Sequence, residues 1–452
     1  MVFSSIIFLF FFLPAFLICY FFPKKVNVKN LVLLLFSLLF YAWGEPVYIF
    51  LMIFMIVVNY FLTILMDKKK SKGLLILLII INLLSLFSFK YLNFFIDNIN
   101  SIFKLSINNI NLSLPVGISF YTFQMLSYVI DVYNKKVKVQ KNLINLACYV
   151  SAFPQLIAGP IVRYSSIEKE LNKRTISYDD LYDGIKKFIV GLSKKVLIAN
   201  NVSFICDQIF DFGIVETGFI GIVIASISYT LQIYFDFSGY SDMAIGLGRM
   251  CGFHYSENFN LPYLAHSVTD FWRRWHISLS SFFRDYVYIP LGGNRVNKIK
   301  FIRNVLVVWM LTGLWHGDSW NFIIWGLYYG ILLLIEKFFF AKQKDTIISH
   351  IITMIIVNIG WLIFRQTDMT SLLTSFKALF GMYGLGSIQK LELLGILSSR
   401  YVLSFIFGIL LSFDLIKIKD GKFKDILLLV LFVFSIMLVV VGSYNPFIYF
   451  RF

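Results

Sequence analysis

Apolar runs as long as a lipid bilayer is thick recur along the whole chain, and they decide what it can fold into. A membrane span needs about 20 predominantly apolar residues. Runs such as YIFLMIFMIVVNYFLTILM (48–66) and ILLLVLFVFSIMLVVV (426–441) repeat from one end to the other. Only 15% of the residues are charged and the mean hydropathy is +0.77, against about 25% charged residues in soluble domains. In hydrocarbon, each backbone N–H and C=O must be satisfied within its own segment. Runs rich in Leu, Ile and Phe therefore read as helices, not barrel strands. The expected class is an all-α polytopic membrane protein with about eleven or twelve spans.

The first run, FSSIIFLFFFLPAFLICYFF (3–22), lacks a basic leading region and a small-residue cleavage site before Pro23, so it is expected to be a retained span. The four cysteines, Cys19, Cys148, Cys206 and Cys251, have no paired spacing and read as neither a disulfide framework nor a metal site. The formal charge of +16 would raise nucleic acid for a soluble chain. In a membrane protein, lysines and arginines gather in cytoplasmic loops and against anionic lipid. Basic clusters lie at 24–29, 67–72, 134–141, 163–187, 294–303, 336–344 and 417–424, whereas YAWGEP (41–46) and GDSW (317–320) carry no lysine or arginine. The positive-inside rule then puts both termini outside.

Residues 235–300 are too polar and too interrupted for plain spans. Such backbone survives at membrane depth only inside protein or beside a water-filled cavity. A ring of helices around a polar, partly re-entrant centre is the expectation. There is no soluble domain and no fixed-period repeat. The chain reads as one membrane domain over 1–452, with N-terminal spans in 1–110, a motif-bearing core in 111–340, C-terminal spans in 341–442 and an external aromatic tail in 443–452.

Four stretches carry candidate chemistry. In LTGLWHG (311–317), His316 is one of five histidines. A helix starting at Asn304 would put it about 18 Å along the axis, past the middle of a core roughly 30 Å thick. A neutral imidazole there can take a proton from a hydroxyl and return it, or simply be a buried histidine bonded to a carbonyl. In TDFWRRWHISLSSFFRDY (269–286), Thr269 or Asp270 is the expected N-cap. Trp272, Trp275, Leu279, Phe282, Phe283 and Tyr286 form an apolar face, with Arg273, His276, Ser280 and Arg284 opposite. Arginines beside a histidine suit a phosphate-rich ligand, and equally suit an interfacial helix meeting lipid phosphate.

In QIYFDFSGYSDM (232–243), Asp236 and Asp242 are candidates to orient a histidine or pair an arginine; an ion pair that only fixes helix packing is the plainer reading. Gly246, Gly248 and Gly252 form no dinucleotide fingerprint, because Cys251 stands where the third glycine belongs. In LPVGISFYTFQMLSYVIDVY (114–133), Gln124, Ser127, Tyr128 and Asp131 form one polar stripe, facing a cavity or joining helices. The chain ends aromatic, SYNPFIYFRF: an interfacial anchor, or a tail folded back to present the Tyr449 hydroxyl.

Together these stretches, with FPQLIAGPIVRY (153–164), resemble the membrane-bound O-acyltransferase superfamily, and within it the bacterial branch that acetylates extracellular polysaccharides, typified by the alginate O-acetyltransferase membrane subunit. The resemblance covers nearly the whole chain, and it narrows the expected fold to a ring around a thin centre with re-entrant or interfacial helices. It implies that His316 is the catalytic histidine and His276 the second family histidine, with cytosolic donor and external acceptor approaching from opposite faces. It implies acetyl-CoA as the acyl donor, with no bound cofactor or metal. The tail maps onto a proposed acyl relay at Tyr449. Arg273, Arg274, Ser280, Arg284, Asp236, Asp242 and Gln124 follow as donor-binding or supporting candidates. Expected partners are the lipid bilayer, a cell-envelope polysaccharide and a secreted or membrane-anchored acetyltransferase- or esterase-like protein, in a bacterial inner membrane. Two other readings stay open. One is a D-alanyl transferase of the same fold fed by a carrier protein. The other is a polysaccharide transporter, which predicts inverted repeats and matched broken helices.

Overall fold

The structure is a computed structural model that describes residues 1–340, 345–442 and 444–446. It is helical, with no β-strand among the described residues. The contacts divide the chain into two compact units, Met1–Phe188 with Ser241–Ser256, and Ile189–Tyr240 with Glu257–Phe452.

The first unit contains α1 (Leu13–Phe21), α2 (Val26–Gly44), α3 (Tyr48–Lys69), α4 (Lys72–Lys90), α5 (Ile118–Tyr133) and α6 (Leu143–Ser151). Membrane helices gain nothing from apolar burial against each other, so side-chain hydrogen bonds hold them. Asn59 on α3 and Asn82 on α4 exchange amide bonds in both directions, at 3.2 and 2.8 Å. Arg174 is a buried hub. Its guanidinium bonds to Tyr20, to Asn30 and to the Cys251 carbonyl, and lies 4.3 Å from the Phe253 ring centroid.

The next helices are α7 (Tyr178–Ser193), α8 (Asn200–Phe212) and α9 (Ile214–Met250), then α10 (Val268–Arg274), α11 (Ile277–Phe283), α12 (Lys298–His316), α13 (Trp320–Phe339), α14 (Ile347–Arg365), α15 (Met369–Leu379), α16 (Ser399–Ser412) and α17 (Lys422–Val441). In the second unit, α12 and α13 form a close antiparallel hairpin. Glycines permit the approach: a methyl at Gly313 would collide with the Phe322 carbonyl, and one at Gly326 with the Trp309 carbonyl. Around this hairpin the core is aromatic, with Trp272, Trp275, Trp325, Tyr329 and Trp361 all buried.

Among the described residues, eight helical segments are long and apolar enough to cross a membrane: α2, α3, α4, α7 continuing into α8, α9, α13, α14 and α17. The expected first span is a shorter apolar helix, Phe8–Phe21, and α16 is another. α12 falls outside this set because Lys298, Lys300 and Arg303 occupy its first turns.

Two local expectations change. α12 begins at Lys298, not Asn304, because the Asn297 side chain caps it by accepting from the Lys300 amide at 2.9 Å. His316 is therefore the helix's last residue, about 27 Å from its start. The expected single helix over 269–286 is broken. α10 is capped by Ser267, not by Thr269 or Asp270, and the Glu336 carboxylate accepts from the Val268 and Thr269 amides. The helix then stops, and His276 takes a left-handed conformation (φ 43°) before α11. Asn258 compensates the break: its carbonyl oxygen accepts from the Ile277 amide at 3.0 Å.

Candidate active site

His316 ends α12 in an aromatic cage. Its ring lies nearly perpendicular to Trp315, Trp325 and Phe364, with centroids 4.9, 5.0 and 5.1 Å away. It is only 5% exposed. A helix C-terminus carries partial negative charge and favours a cation there.

His276 reaches the same cage from the helix break. Its ring packs edge-on against Phe237 at 4.7 Å and against Trp315 at 5.6 Å, so Trp315 touches both histidines. Asn258 Oδ1 lies 3.1 Å from His276 Nδ1 and also accepts from the Ser278 amide and hydroxyl. An amide oxygen only accepts, so Nδ1 carries the proton. That leaves Nε2 as the lone-pair nitrogen, buried and without a hydrogen-bond partner among the described residues. Burial with no charged neighbour holds this imidazole neutral, well below its ordinary pKa. The break removes His276 from the polar face that the sequence pattern assigned to it.

The arginines behave differently from one another. Arg273, Ser280 and Arg284 line one cavity of about 430 Å³, together with Lys337, Trp272, Trp309 and Thr312. Arg274 does not line it; its guanidinium bonds to Asp270 at 3.0 Å. Arg284 also pairs with Asp285 at 2.7 Å and remains well exposed. Thr312 stands one helical turn before His316, and Trp272 packs on Trp325, which touches His316. The cavity therefore ends at the wall of the histidine cage.

A second cavity, about 630 Å³, is lined by residues of α8, α14 and α15, including Asp207, Arg365 and Gln366. Phe364, which touches His316, directly precedes Arg365. His316 thus has one cavity a helical turn away on its own helix, and its neighbour Phe364 is next in sequence to Arg365, which lines the other.

The acidic candidates each pair with a lysine. Asp236 pairs with Lys195 at 2.7 Å, both essentially buried. In the first unit, Asp242 pairs with Lys187 at 3.4 Å. Gln124 is also in the first unit, fully buried on α5, and neither end of its amide finds a hydrogen-bond partner among the described residues. Tyr449 lies outside the described residues. The tail leading to it is anchored in the second unit: Tyr444 donates to Asp207, Asn200 donates to Asn445 at 3.3 Å, and Lys195 donates to the Pro446 carbonyl.

Sequence reasoning passed over Asn258, Lys195, Asp207, Arg365 and Gln366. Asn258 and Gln366 carried no local signal, since one polar residue near a turn is ordinary. Lys195 was the one legible clue: in IVGLSKKVLIANN (189–201) it interrupts an apolar run, where a charge is costly and needs a partner.

The model of the membrane-bound O-acyltransferase family matches residues 134–367. The protein named "Probable alginate O-acetylase AlgI" in Pseudomonas aeruginosa is 40% identical over 424 residues, covering 90% of this chain and 80% of the relative. The peptidoglycan O-acetyltransferase of Helicobacter pylori is 37% identical over 436 residues, covering 87% and 82%. The teichoic acid D-alanyltransferase of Bacillus subtilis is 34% identical over 239 residues, covering 48% and 60%. With this match, these relatives and its membrane-length helices, the chain belongs to the membrane-bound O-acyltransferase family, as a multi-pass membrane enzyme that transfers acyl groups to oxygen.

Proposed function

We propose that the protein moves an acetyl group from cytosolic acetyl-CoA to a hydroxyl on the outer side of the bacterial inner membrane, in the O-acetylation of a cell-envelope polysaccharide. The observation that carries this reading is the aromatic cage of His316 with two cavities of different charge near it, one lined by Thr312 a turn earlier on its own helix and one lined by Arg365, next in sequence to its neighbour Phe364. The cavity ending near Thr312 has Arg273, Arg284 and Lys337, and it adjoins the basic cluster at 294–303. Guanidinium and ammonium groups at its mouth suit the phosphates of a coenzyme A thioester. The positive-inside rule puts that end in the cytoplasm and both chain termini outside. The second cavity is lined by Arg365 at the C-terminal end of α14 and by Tyr444, and in this reading it opens to the other side.

In this reading His316 takes the proton from the acceptor hydroxyl as the oxygen attacks the thioester carbonyl. The C–O bond forms, the C–S bond breaks, and the departing thiolate takes the proton. His276, held with its Nε2 lone pair inward by Asn258, is the second group in reach of the cage. The acceptor is either the polymer, a secreted partner or Tyr449. The anchoring of residues 444–446 supports the last, because the bond from the buried Lys195 to the Pro446 carbonyl holds the chain inside the second unit three residues before Tyr449. Acetyl transfer is favoured over carrier-fed D-alanyl transfer because the O-acetylating relatives are covered over about four-fifths of their length, the D-alanyl relative over 60%.

The test is acetyl-CoA labelled in its acetyl group, added to the purified protein, with the mass of the C-terminal peptide measured. His316→Ala and Tyr449→Phe run in parallel. A labelled peptide in the wild type, absent from both variants, is expected. Turnover persisting in Tyr449→Phe without labelled peptide reduces the tail to an anchor. No turnover of acetyl-CoA, even with a secreted partner present, refutes the donor.

A further inference from the structure

We propose that the cavity between α8, α14 and α15 binds a segment of uncharged saccharide, so that the sugar acceptor is held by this chain itself. The proposal depends on the acyl-transfer reading only for the side from which the sugar arrives.

The argument begins with an unmatched donor. Gln366 lines the cavity and is 4% exposed, yet its Nε2 has no hydrogen-bond partner among the described residues. A buried amide donor left unmatched costs free energy, and a ligand oxygen in the cavity would remove that cost. Beside it, the Asp207 carboxylate is fixed by Arg365 Nη2 at 2.8 Å and by the Tyr444 hydroxyl. Asp211 follows one turn later on α8, and hydroxyls of Thr370, Ser371 and Thr374 line the α15 side. Phe204 contributes an aromatic wall, itself stacked on Tyr401 at 4.5 Å. Amide, carboxylate and hydroxyl groups match the paired donor and acceptor character of sugar hydroxyls, and an aromatic ring matches the C–H face of a pyranose. The volume suits a ligand of drug-like size, on the order of a disaccharide.

Charge narrows the class. Asp207 and Asp211 bring two formal negative charges, and with Asp207 paired to Arg365 the described lining keeps a net formal charge of −1, carried by Asp211. Arg365 is the single cation among the described lining residues. It is already engaged, by Asp207, by Cys206 Sγ at 3.2 Å and by the Phe210 ring at 3.7 Å. A uronic acid chain would bring a carboxylate on each residue against this wall, with no cation left to meet it. Unpaired like charges reject a ligand strongly. A peptide strand would need a strand edge for its backbone groups, and there is none among the described residues. The geometry therefore favours a neutral glycan.

The test is isothermal titration of the full chain in nanodiscs free of sugar-headed detergent, with two probes: cellotetraose, a neutral β-1,4 glucan, and tetramannuronate. Cellotetraose is expected to bind, and tetramannuronate to bind at least roughly tenfold more weakly at low salt. Gln366→Leu and Gln366→Glu, both removing the amide donor, should each weaken cellotetraose roughly tenfold or more, with thermal midpoints near wild type. Absence of cellotetraose binding overturns the proposal, as does equal or tighter tetramannuronate binding. Wild-type affinity in both Gln366 variants also overturns it. Acetyl-CoA turnover by the same preparation is read separately. Sugar binding without turnover removes the donor reading and leaves this site standing. Turnover without sugar binding removes the site alone.

Discussion

The buried ion pair between Lys195 and Asp236 makes the sharpest quantitative prediction. The two groups are 2.7 Å apart with side chains 3% and 2% exposed. Removing one partner of such a pair strands a buried charge, which costs about 3–5 kcal/mol, whereas replacing both with apolar groups of similar size is often neutral. Lys195→Met and Asp236→Leu should each destabilise by that amount, and the double variant should return to within about 1–2 kcal/mol of wild type. The coupling in the cycle would then be several kcal/mol, far above the roughly 0.5 kcal/mol expected of independent sites. Unfolding by sodium dodecyl sulfate titration in mixed micelles measures it. Lys195 also donates to the Pro446 carbonyl. The double variant should therefore recover stability without recovering the tail's anchor, and any acyl label on Tyr449 should fall. Single variants that each cost under about 1 kcal/mol and combine additively would refute the reasoning.

Three more outcomes are expected. Asn258→Leu leaves the Ser278 amide and the His276 Nδ1–H unmatched, at about 1–3 kcal/mol each, and should cut turnover. Asn258→Asp keeps the acceptor but adds a charge that raises the His276 pKa, so the pH–turnover profile should shift upward. An unshifted profile would mean that Asn258 does not act through His276. Gly313→Leu forces α12 off the Phe322 carbonyl and should cost about 1–3 kcal/mol. It should also lower turnover, because His316 is three residues further on, and a wild-type melting midpoint would contradict the close packing.

Finally, His254 faces Glu170 at 2.8 Å and Asp180 at 3.1 Å. Burial lowers its pKa, but the two carboxylates outweigh it and the net shift is upward. The contribution is then complete below the ordinary pKa of about 6.5 and is lost as pH rises through the raised folded value. The thermal midpoint should fall from pH 6 to pH 9, with a smaller fall in His254→Phe. A midpoint that rises over that range would reverse the assignment.

The sequence by itself determined the class of this protein: a polytopic helical membrane protein with a polar, interrupted stretch near residues 235–300. It could do so because bilayer thickness and backbone desolvation act on each segment separately, and a run of 20 apolar residues carries that information locally. His316 stood out for the same reason, as an ionisable group at the end of an apolar run. What only the tertiary structure decided was which polar groups meet. Helical periodicity put His276 on one face with Arg273 and Arg284, and the chain instead breaks at Trp275–His276, where bonds from Asn258 repay the lost turn. Asp236 looked like a partner for histidine or arginine, and a lysine 41 positions earlier takes it. Gln366 had no mark in the sequence at all; it matters because its neighbours leave a buried donor beside a cavity. Hydrogen bonds and ion pairs are satisfied by proximity in space, and in a helical membrane protein proximity is set by packing between segments, which no single segment encodes.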